Sequence, residues 1–370
     1  MKKYKLTAML LSLALIMSMV LTACGSKRDD EQTGNNGSNN ASTGNEAWEQ
    51  TFEADGNEYP SMTIGLATMG NMNDIAATPG CQGFALFKNY MEGKSGGKIK
   101  VEIYDNSVLG SDEDMLEQVA QNSVQITTPM TSGLLTYDTE FGALDLPFLF
   151  ASSDQAIAAM NGEVGEYFKS ALDSSTGLTI AGYYYNGARS MTNNVRPITC
   201  VDDMKGLKMR VMNSDTYVKL MQALGANPTP ISWNELFTAM QQGTVDGEEN
   251  PPSTIYPSGF AEVQKYFSKT EHVFGYAAVV VSSAFYNGMD DASRKLFDEG
   301  IELLTSTADK AELEIGDAYI AKMAEAGMEC NDITPENKQG FIDATASVRD
   351  EYRSVYSAEL WGILDKVTAN

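Results

Sequence analysis

Short apolar strands and amphipathic helices alternate along most of this chain, and that order constrains its fold more than any other feature. Strands are predicted over 61–67, 97–104, 178–185, 207–211 and 275–283. In the second of these, Ile99, Val101 and Ile103 alternate with polar residues, as in a half-buried strand. Since strands separated by helices pair in parallel, the sequence predicts an α/β protein whose sheets are flanked by helices.

The chain beyond residue 58 is about 310 residues long, which is more than one domain usually holds. We therefore expect two lobes. Helical periodicity persists over 290–326 without a proline, and at 1.5 Å per residue this segment is roughly 50 Å long. Either Gly316 breaks the helix, or one long helix lies along both lobes.

The first residues resemble an export signal. Lys2, Lys3 and Lys5 precede an apolar run over 6–20, and Leu-Thr-Ala-Cys ends at Cys24 like a bacterial lipobox. The pattern predicts a signal peptide over 1–23 and a lipidated Cys24. The alternative, a transmembrane helix, needs about 20 apolar residues, more than the run supplies.

Residues 24–58 are mostly small and polar, so we expect a flexible tether that holds the folded part away from a membrane. The formal net charge is −24, and the predicted signal peptide carries three lysines and no acid. A mature chain would be more acidic still. Without a basic patch, nucleic-acid binding is not expected.

Histidine and cysteine usage argues against catalysis and against a metal site. The only histidine is His272, at the start of an apolar run, where we expect a structural role. Zinc sites that use several histidines are excluded, and no phosphate-binding, dinucleotide-binding or calcium-binding motif is found. Cys81, Cys200 and Cys330 match no zinc spacing and are interpreted as small core residues whose pairing stays open. No cofactor and no enzymatic activity are expected.

Three residues could together hold a small carboxylate. Arg210 ends a predicted strand, Trp233 begins a helix with a capping box over 232–235, and Asn250 precedes a proline. A guanidinium matches the two oxygens of a carboxylate, and a helix start favours an anion. Each residue also has an ordinary explanation: an exposed arginine, an aromatic packed on prolines, or a turn residue. Arg189, in a predicted loop rich in Gly and Asn, is a second candidate cation.

A resemblance to a known family decides between these alternatives. The segments G-L-K-M-R-V over 206–211, G-A-N-P-T-P-I-S-W-N-E-L-F-T-A-M-Q-Q-G-T-V-D-G-E-E-N-P over 225–251 and F-A-E-V-Q-K-Y-F-S-K-T-E-H over 260–272 carry it. They resemble the substrate-binding proteins of TRAP (tripartite ATP-independent periplasmic) transporters, the DctP family. A weaker match extends upstream and covers nearly all of the chain after the predicted tether.

The resemblance implies a two-lobed, periplasmic-binding-protein-like fold of type II character. Lobe 1 would comprise 59–186 plus 276–315, and lobe 2 would comprise 187–275 plus 316–370. In this family pattern, Arg210 forms the main salt bridge to the ligand carboxylate and Asn250 hydrogen-bonds to the same group. Trp233 takes the aromatic position, and Arg189 takes that of a second ligand-reaching arginine.

Two departures from the family pattern concern specificity. Glu248 stands where a glutamine is common and adds negative charge; since Glu248 and Glu249 are adjacent on an extended chain, they should point in opposite directions. The loop over 68–79 holds no cation, and Met130 stands where some members have a polar contact. We expect Asn73 and Met130 to reach the ligand from a rather apolar first lobe, which favours a monocarboxylate with an apolar or aromatic part.

The sequence therefore predicts a monomeric, membrane-tethered, extracytoplasmic receptor. It would bind a small organic acid between its lobes and deliver it to the membrane permease of an ion-gradient-driven TRAP transporter. The alternatives are a receptor for an ABC importer, a sensory receptor that presents its ligand to a membrane kinase, and a surface hydrolase. The single histidine makes the last of these the weakest.

Overall fold

The computed structural model describes residues 47–172 and 176–369. The predicted signal peptide, Cys24 and most of the predicted tether lie outside these residues. Within them, no helix combines the length and the apolarity that a membrane crossing requires.

One mixed sheet of nine strands forms the centre of the protein, in the order β2-β1-β3-β8-β4-β7-β5-β6, with β9 paired to β8. The strands are β1 (Met62–Ala67), β2 (Ile99–Tyr104), β3 (Ile126–Thr127), β4 (Leu178–Asn193), β5 (Lys208–Val211), β6 (Asn227–Pro230), β7 (Gly247–Asn250), β8 (Tyr266–Ser282) and β9 (Glu329–Asp332). The β1–β2, β1–β3 and β5–β6 pairs are parallel, as the alternation of strands and helices predicts.

The long antiparallel strands β4 and β8 join the two lobes into one sheet. Residues 178–185 of β4 and 276–282 of β8 belong to the same part of the sheet as β1, β2 and β3, which we call the first half. Their continuations lie beside β5, β6, β7 and β9, in the second half. The prediction that β4 ends at residue 185 and that Arg189 follows in a loop is therefore wrong.

The Gly and Asn residues that suggested a loop before Arg189 mark an irregularity within β4. Its register with β8 shifts between Tyr185 and Gly187, and Gly187 has φ +107°. Glycine within a strand commonly marks a bulge or a close approach of other chain segments. Gly187 shows both features. The register shift is the irregularity, and the close approach is that of Glu312, whose Oε1 would lie 2.3 Å from a Cβ at this position.

Helices cover both faces of the sheet. The α-helices are α1 (Pro79–Lys94), α2 (Asp112–Ala120), α3 (Ser153–Met160), α4 (Glu163–Ala171), α5 (Asp215–Ala223), α6 (Trp233–Gln241), α7 (Pro252–Ile255), α8 (Ser283–Gly288), α9 (Asp291–Glu325), α10 (Pro335–Tyr352) and α11 (Ala358–Thr368). Short 3-10 helices span Ala47–Glu49, Met72–Ala77, Thr131–Leu134, Thr139–Asp145, Val201–Met204 and Phe260–Glu262.

The length of the helix predicted over 290–326 left open whether Gly316 breaks it or whether one helix lies along both lobes. Helix α9 runs for 35 residues without a break at Gly316, and it packs against α1 and β4 as well as against β9 in the second half. Its buried side chains include Leu304 in a core of the first half and Met323 in a core of the second half. One helix therefore lies along both halves.

The C-terminal helix departs from the predicted lobe boundaries. Residues 316–370 were assigned to the second lobe, yet α11 packs against α3 and α4. Leu360, Trp361 and Leu364 share a core with Leu178 of the first half. The helical spacing of these residues predicts an apolar face, but it does not say which surface that face will cover. The rest of the lobe division remains a prediction.

The serines that precede α2 and α6 differ in how they cap these helices. Ser111 accepts a hydrogen bond from the backbone N–H of Asp114 and forms a capping box that begins α2. Ser232 occupies the corresponding position before α6, but its side chain makes no capping hydrogen bond, so the capping box predicted over 232–235 is wrong. Ser232 instead lines a cleft between the two halves of the sheet.

Candidate ligand-binding site

A cleft of about 560 Å³ lies between the two halves of the sheet. Its walls come from the segments after β1, β2 and β3, from the first turn of α2, and from the carboxyl end of β5 and the start of α6. Ligands of open α/β sheets bind at the carboxyl ends of strands, because the loops there converge and helices begin there. The cleft is therefore where a small molecule would bind.

Arg210 enters this cleft from β5 as a buried and unpaired cation. Its side chain is 3% exposed, and Nε donates to the carbonyl of Ile231 at 2.8 Å. Its terminal nitrogens form no ion pair with any carboxylate of the described residues. Burial lowers the pKa of Arg210 to about 10, so the folded protein holds this charge at a cost that a bound anion would offset.

Arg189 also lines the cleft, but its charge is already paired. Nε donates to Oε2 of Glu249 at 2.6 Å, and Nη2 donates to Oε1 at 2.8 Å and to the Glu249 carbonyl at 2.5 Å. Burial raises the pKa of the Glu249 carboxyl, but the Arg189 charge and a hydrogen bond to His272 outweigh it and hold this pKa at about 2. Arg189 thus brings no uncompensated charge to a ligand.

His272 completes this buried group and has the structural role that the sequence predicts. Its Nδ1 shares a hydrogen bond of 2.8 Å with Oγ1 of Thr270, and Nε2 lies 3.3 Å from Oε2 of Glu249. Both ring nitrogens have partners. The imidazole is fully buried and is absent from the cleft lining, where it would have to lie to act on a ligand.

Asn250 lines the cleft at the end of β7, so its backbone is part of a strand and the alternative of a simple turn residue does not apply. Its Nδ2 donates to Oε2 of Glu248 at 2.5 Å, and Thr192 donates to Oε1 of the same carboxyl at 3.0 Å. Burial raises the pKa of Glu248 to about 7. Glu248 and Glu249 were predicted to point in opposite directions, and they bind different partners, Glu249 to Arg189 and Glu248 to Asn250. Glu248 orients Asn250 and does not itself line the cleft.

Aromatic side chains form one wall of the second half. Trp233, at the start of α6, is half-buried, and its ring centroid lies 5.5 Å from that of Phe260. Phe237, one turn further along the helix, is 6.4 Å from the same ring. All three residues line the cleft, so they offer an apolar surface beside Arg210.

Of the two residues predicted to contact the ligand from the first lobe, one lines the cleft and the other does not. Met130 lines the cleft and forms an isolated β-bridge with Ala277. Asn73 is exposed and does not line the cleft, because it lies in the first turn of a 3-10 helix whose cap, Asn71, accepts hydrogen bonds from the Asn73 backbone and side chain. Asn71 lines the cleft in its place.

The first-half wall is less apolar than predicted. Asp112 lies there at the start of α2, and Glu312 of α9 lies at the base of the cleft between the halves. Burial raises the pKa of Asp112 to about 7 and that of Glu312 to about 8. The residue after a helix cap is a common place for an acid, and Glu312 sits inside a long helix, so no local pattern singles out either residue.

The described residues hold no group of three or more His, Cys, Asp or Glu that could bind a metal ion. The three cysteines in this part of the chain are free. Cys81 is buried as predicted, whereas Cys200 and Cys330 are only half-buried, and Cys330 packs against the edge of a core.

Comparison with known proteins agrees with this geometry. The model of the family "Bacterial extracellular solute-binding protein, family 7" (DctP) matches residues 71–355. The C4-dicarboxylate-binding periplasmic protein DctP of Rhodobacter capsulatus is 31% identical over 294 residues, which are 79% of this chain and 88% of that protein.

Solved structures give the same result. The sugar-acid-binding protein DctPAm of Advenella mimigardefordensis, in complex with galactonate, has a TM-score of 0.79 and 28% identity, over 84% of this chain and 99% of that one. A TRAP periplasmic solute-binding protein of Shewanella oneidensis, with bound succinate, has a TM-score of 0.78 and 27% identity, over 84% and 100% of the two chains. Their two-lobed fold is the one described above. The chain therefore belongs to the DctP family, the extracytoplasmic solute-binding proteins of TRAP transporters, which serve in transport and are not enzymes.

Proposed function

We propose that this protein captures a small organic acid by its carboxylate and delivers it to the permease of a TRAP transporter. The observation that carries the proposal is Arg210, a buried guanidinium in the cleft that has no anionic partner among the described residues. The solved relatives contain galactonate or succinate, and both ligands carry a carboxylate.

The carboxylate would lie between Arg210 and Asn250. A guanidinium can donate two parallel hydrogen bonds to a carboxylate, and the amide of Asn250 would supply a further contact. Trp233 would cover the rest of the ligand. Arg189, whose charge Glu249 neutralises, would offer a hydrogen bond and no net attraction. Met130 would touch the ligand from the first half.

Closure of the two halves would strengthen binding of the carboxylate to Arg210. A ligand favours the closed state only if it binds that state better than the open one, so both halves must contribute contacts. When water leaves the cleft, the local dielectric falls and the attraction between guanidinium and carboxylate rises.

We propose further that Cys24 carries a lipid after removal of residues 1–23, and that the following segment tethers a monomer to the membrane. The signal-like sequence and its lipobox support this reading. A Cys24→Ala variant should leave the membrane fraction and appear as released protein. A variant that sediments with membranes as the wild type does would refute the anchor.

The capture of an organic acid can be tested by a thermal-shift screen of monocarboxylates, dicarboxylates and sugar acids. A ligand at 100 times its Kd stabilises the folded state by about 2.7 kcal/mol, which is roughly 4 °C in Tm for a chain of this size. Uncharged sugars and amides are the controls. If only these controls raise Tm, the carboxylate proposal is wrong.

Delivery can be tested in liposomes that contain the partner permease. Uptake of the identified acid should require the solute-binding protein and an ion gradient, and it should not require ATP. Uptake that depends on ATP would instead indicate an ABC importer.

A further inference from the structure

Four buried ionisable residues, which we call the buried quartet, belong to three neighbouring strands of the second half. Arg189 lies on β4, Glu248 and Glu249 lie on β7, and Arg210 lies on β5. Strand β7 pairs with both other strands, and each of the four residues is at most 3% exposed. Because an unbalanced charge is costly away from water, the charges of the quartet and of a bound anion must nearly cancel.

Three members of the quartet have fixed charges. Arg189 and Glu249 form an ion pair at 2.6 Å, which His272 supports through Nε2 at 3.3 Å from the same carboxyl oxygen. Arg210 keeps its proton near neutral pH, because burial lowers its pKa only to about 10. The state of these three residues therefore does not change when the pH varies between 6 and 8.

Glu248 is the fourth member and forms no ion pair with any of the described residues. Its carboxyl oxygens accept hydrogen bonds from two neutral groups, Nδ2 of Asn250 at 2.5 Å and Oγ1 of Thr192 at 3.0 Å. Glu248 is thus the member of the quartet that can gain or lose a proton without breaking an ion pair.

The net charge of the quartet depends on that proton. With Glu248 ionised, two cations face two anions, and a ligand carboxylate would add an uncompensated negative charge. With Glu248 protonated, one positive charge is left at Arg210, and a carboxylate balances it. An ionised Glu248 and a bound carboxylate therefore compete for the same cation.

Both protonation states of Glu248 are populated near neutral pH. Burial raises the pKa of its carboxyl to about 7; the Asn250 hydrogen bond lowers this pKa, the Glu249 charge raises it, and the charges of Arg189 and Arg210 lower it. A carboxylate bound at Arg210 would offset the effect of that cation and add a negative charge nearby. It would therefore raise the pKa of Glu248 further.

We propose that Glu248 couples the capture of a carboxylate to the uptake of a proton: the ligand binds at Arg210 while a proton from solvent adds to the Glu248 carboxylate. The O–H bond of Glu248 is the only covalent bond that forms, and the quartet and its ligand together stay neutral. The proposal rests on the proposed function, since it takes Arg210 as the group that holds the carboxylate.

Asn250 gives the coupling a second physical basis. Ionised Glu248 occupies the Asn250 amide N–H, which is the donor that a ligand carboxylate needs. Protonated Glu248 can instead donate its O–H to Oδ1 of Asn250 once the amide has turned over, and Nδ2 would then be available to the cleft. The Glu248 proton would thus decide which end of the amide the ligand meets.

The sign of the pH dependence follows from these states. Below about pH 6, Glu248 is protonated before the ligand arrives, so the affinity is highest and does not vary with pH. Above about pH 7, the unliganded carboxyl is ionised and must regain its proton, so the affinity falls by up to about tenfold per pH unit. We expect Kd to rise about tenfold from pH 6 to pH 8.

Isothermal titration calorimetry measures both the affinity and the proton. The probes are D-galactonate, D-glucuronate and the acid that raises Tm most in the thermal-shift screen, chosen among acids that are fully ionised above pH 6. Titrations in two buffers with different ionisation enthalpies, HEPES and Tris at pH 8, give the number of protons taken up. We expect about 0.8 proton per bound acid at pH 8 and about 0.1 at pH 6.

Variants assign the proton to Glu248. Glu248→Gln cannot take it up, so proton uptake at pH 8 should vanish and Kd should change less than twofold between pH 6 and pH 8. Glu235→Gln, an exposed acid of α6 outside the cleft lining, is the matched control and should keep the wild-type pH profile. Thr192→Val removes one donor to the Glu248 carboxylate and should move the fall in affinity to higher pH, which still decides if Glu248→Gln does not fold.

The possible failures are distinguishable. A wild-type Kd that is independent of pH, without proton uptake, would overturn the coupling and leave the proposed function intact. Uptake that persists in Glu248→Gln, or a profile that Thr192→Val does not shift, would place the proton on another buried carboxyl such as Asp112, Asp145 or Glu312 and overturn the role of Glu248. If no acid binds at any pH from 5.5 to 8.5, the proposed function fails, and the coupling fails with it.

Discussion

Substitution of Arg210 should separate binding from stability, because this cation has no anionic partner among the residues that the structure describes. We consider Arg210→Met, which keeps an apolar stem and removes the charge. Loss of one partner of a buried, hydrogen-bonded charge pair costs about 2–5 kcal/mol, and 1.4 kcal/mol is a factor of ten in Kd. The affinity for the organic acid should therefore fall roughly 30- to 3,000-fold.

The unliganded variant should be no less stable than the wild type. Burial lowers the pKa of Arg210 from its usual value to about 10, which corresponds to a folding penalty on the order of 3 kcal/mol for keeping the charge. Methionine removes this penalty and loses the hydrogen bond to Ile231, worth about 1 kcal/mol. Tm without ligand should stay equal or rise.

Arg189→Met is the matched comparison, because it removes an equally buried arginine that is paired. It leaves the Glu249 carboxylate buried with His272 alone, and breaking such a pair costs about 3–5 kcal/mol. Calorimetric titration and thermal unfolding of both variants provide the assay. Affinity of Arg210→Met within threefold of the wild type, or a loss of Tm as large as that of Arg189→Met, would refute this reasoning.

Three further predictions concern the cleft and its supports. Trp233→Ala should weaken binding of the acid by roughly tenfold with little change in Tm, since the ring is only half-buried; unchanged Kd in a titration would show that it does not cover the ligand. Gly187→Ala would place a Cβ 2.5 Å from Cβ of Pro251 and 2.3 Å from Oε1 of Glu312, so it should lower the free energy of unfolding by roughly 2 kcal/mol or more. Gly206→Ala, with φ +76° and open space around it, should cost about 1 kcal/mol in chemical denaturation; equal losses would contradict the proposed clash. Glu312, whose pKa burial raises from 4.5 to about 8, keeps its proton in the folded state after the unfolded chain has lost it, so the free energy of unfolding should fall as pH rises from about 4.5 to 8 and level off above. The same denaturation series on Glu312→Gln should show a smaller fall; an identical one would rule out Glu312 as its source.

The sequence predicted the parts of the site that short segments encode. Arg210 at a strand end and Trp233 at a helix start follow from local spacing, and the structure places both in the cleft. Asn250 also lines the cleft, although it ends a strand and not a turn. Here the prediction of position held while that of local conformation did not, because pairing with β4 overrides the turn preference of Gly and Pro.

Arg189 shows where local reasoning ends. Its neighbours suggest a loop, yet they continue a strand, because β8 and β7 on either side supply hydrogen-bonding partners. Its pairing with Glu249, 60 residues away, could not be inferred from either segment alone. Whether an arginine is free to bind a ligand therefore depends on what lies opposite it in the folded protein.

By itself, the sequence determined the α/β class, the two-lobed organisation, the family and the cation expected to hold a carboxylate. The α/β class depends on periodicity, which can be read from residues that are close in the chain. The family, the fold that it implies and the choice of Arg210 depend on the resemblance of whole segments to that family. Only the tertiary structure decided that Arg189 is neutralised, that Asn73 lies outside the cleft, and that Asp112 and Glu312 face it. Those outcomes depend on burial and on charges from distant segments, and both quantities exist only once the two halves and helix α9 have packed together.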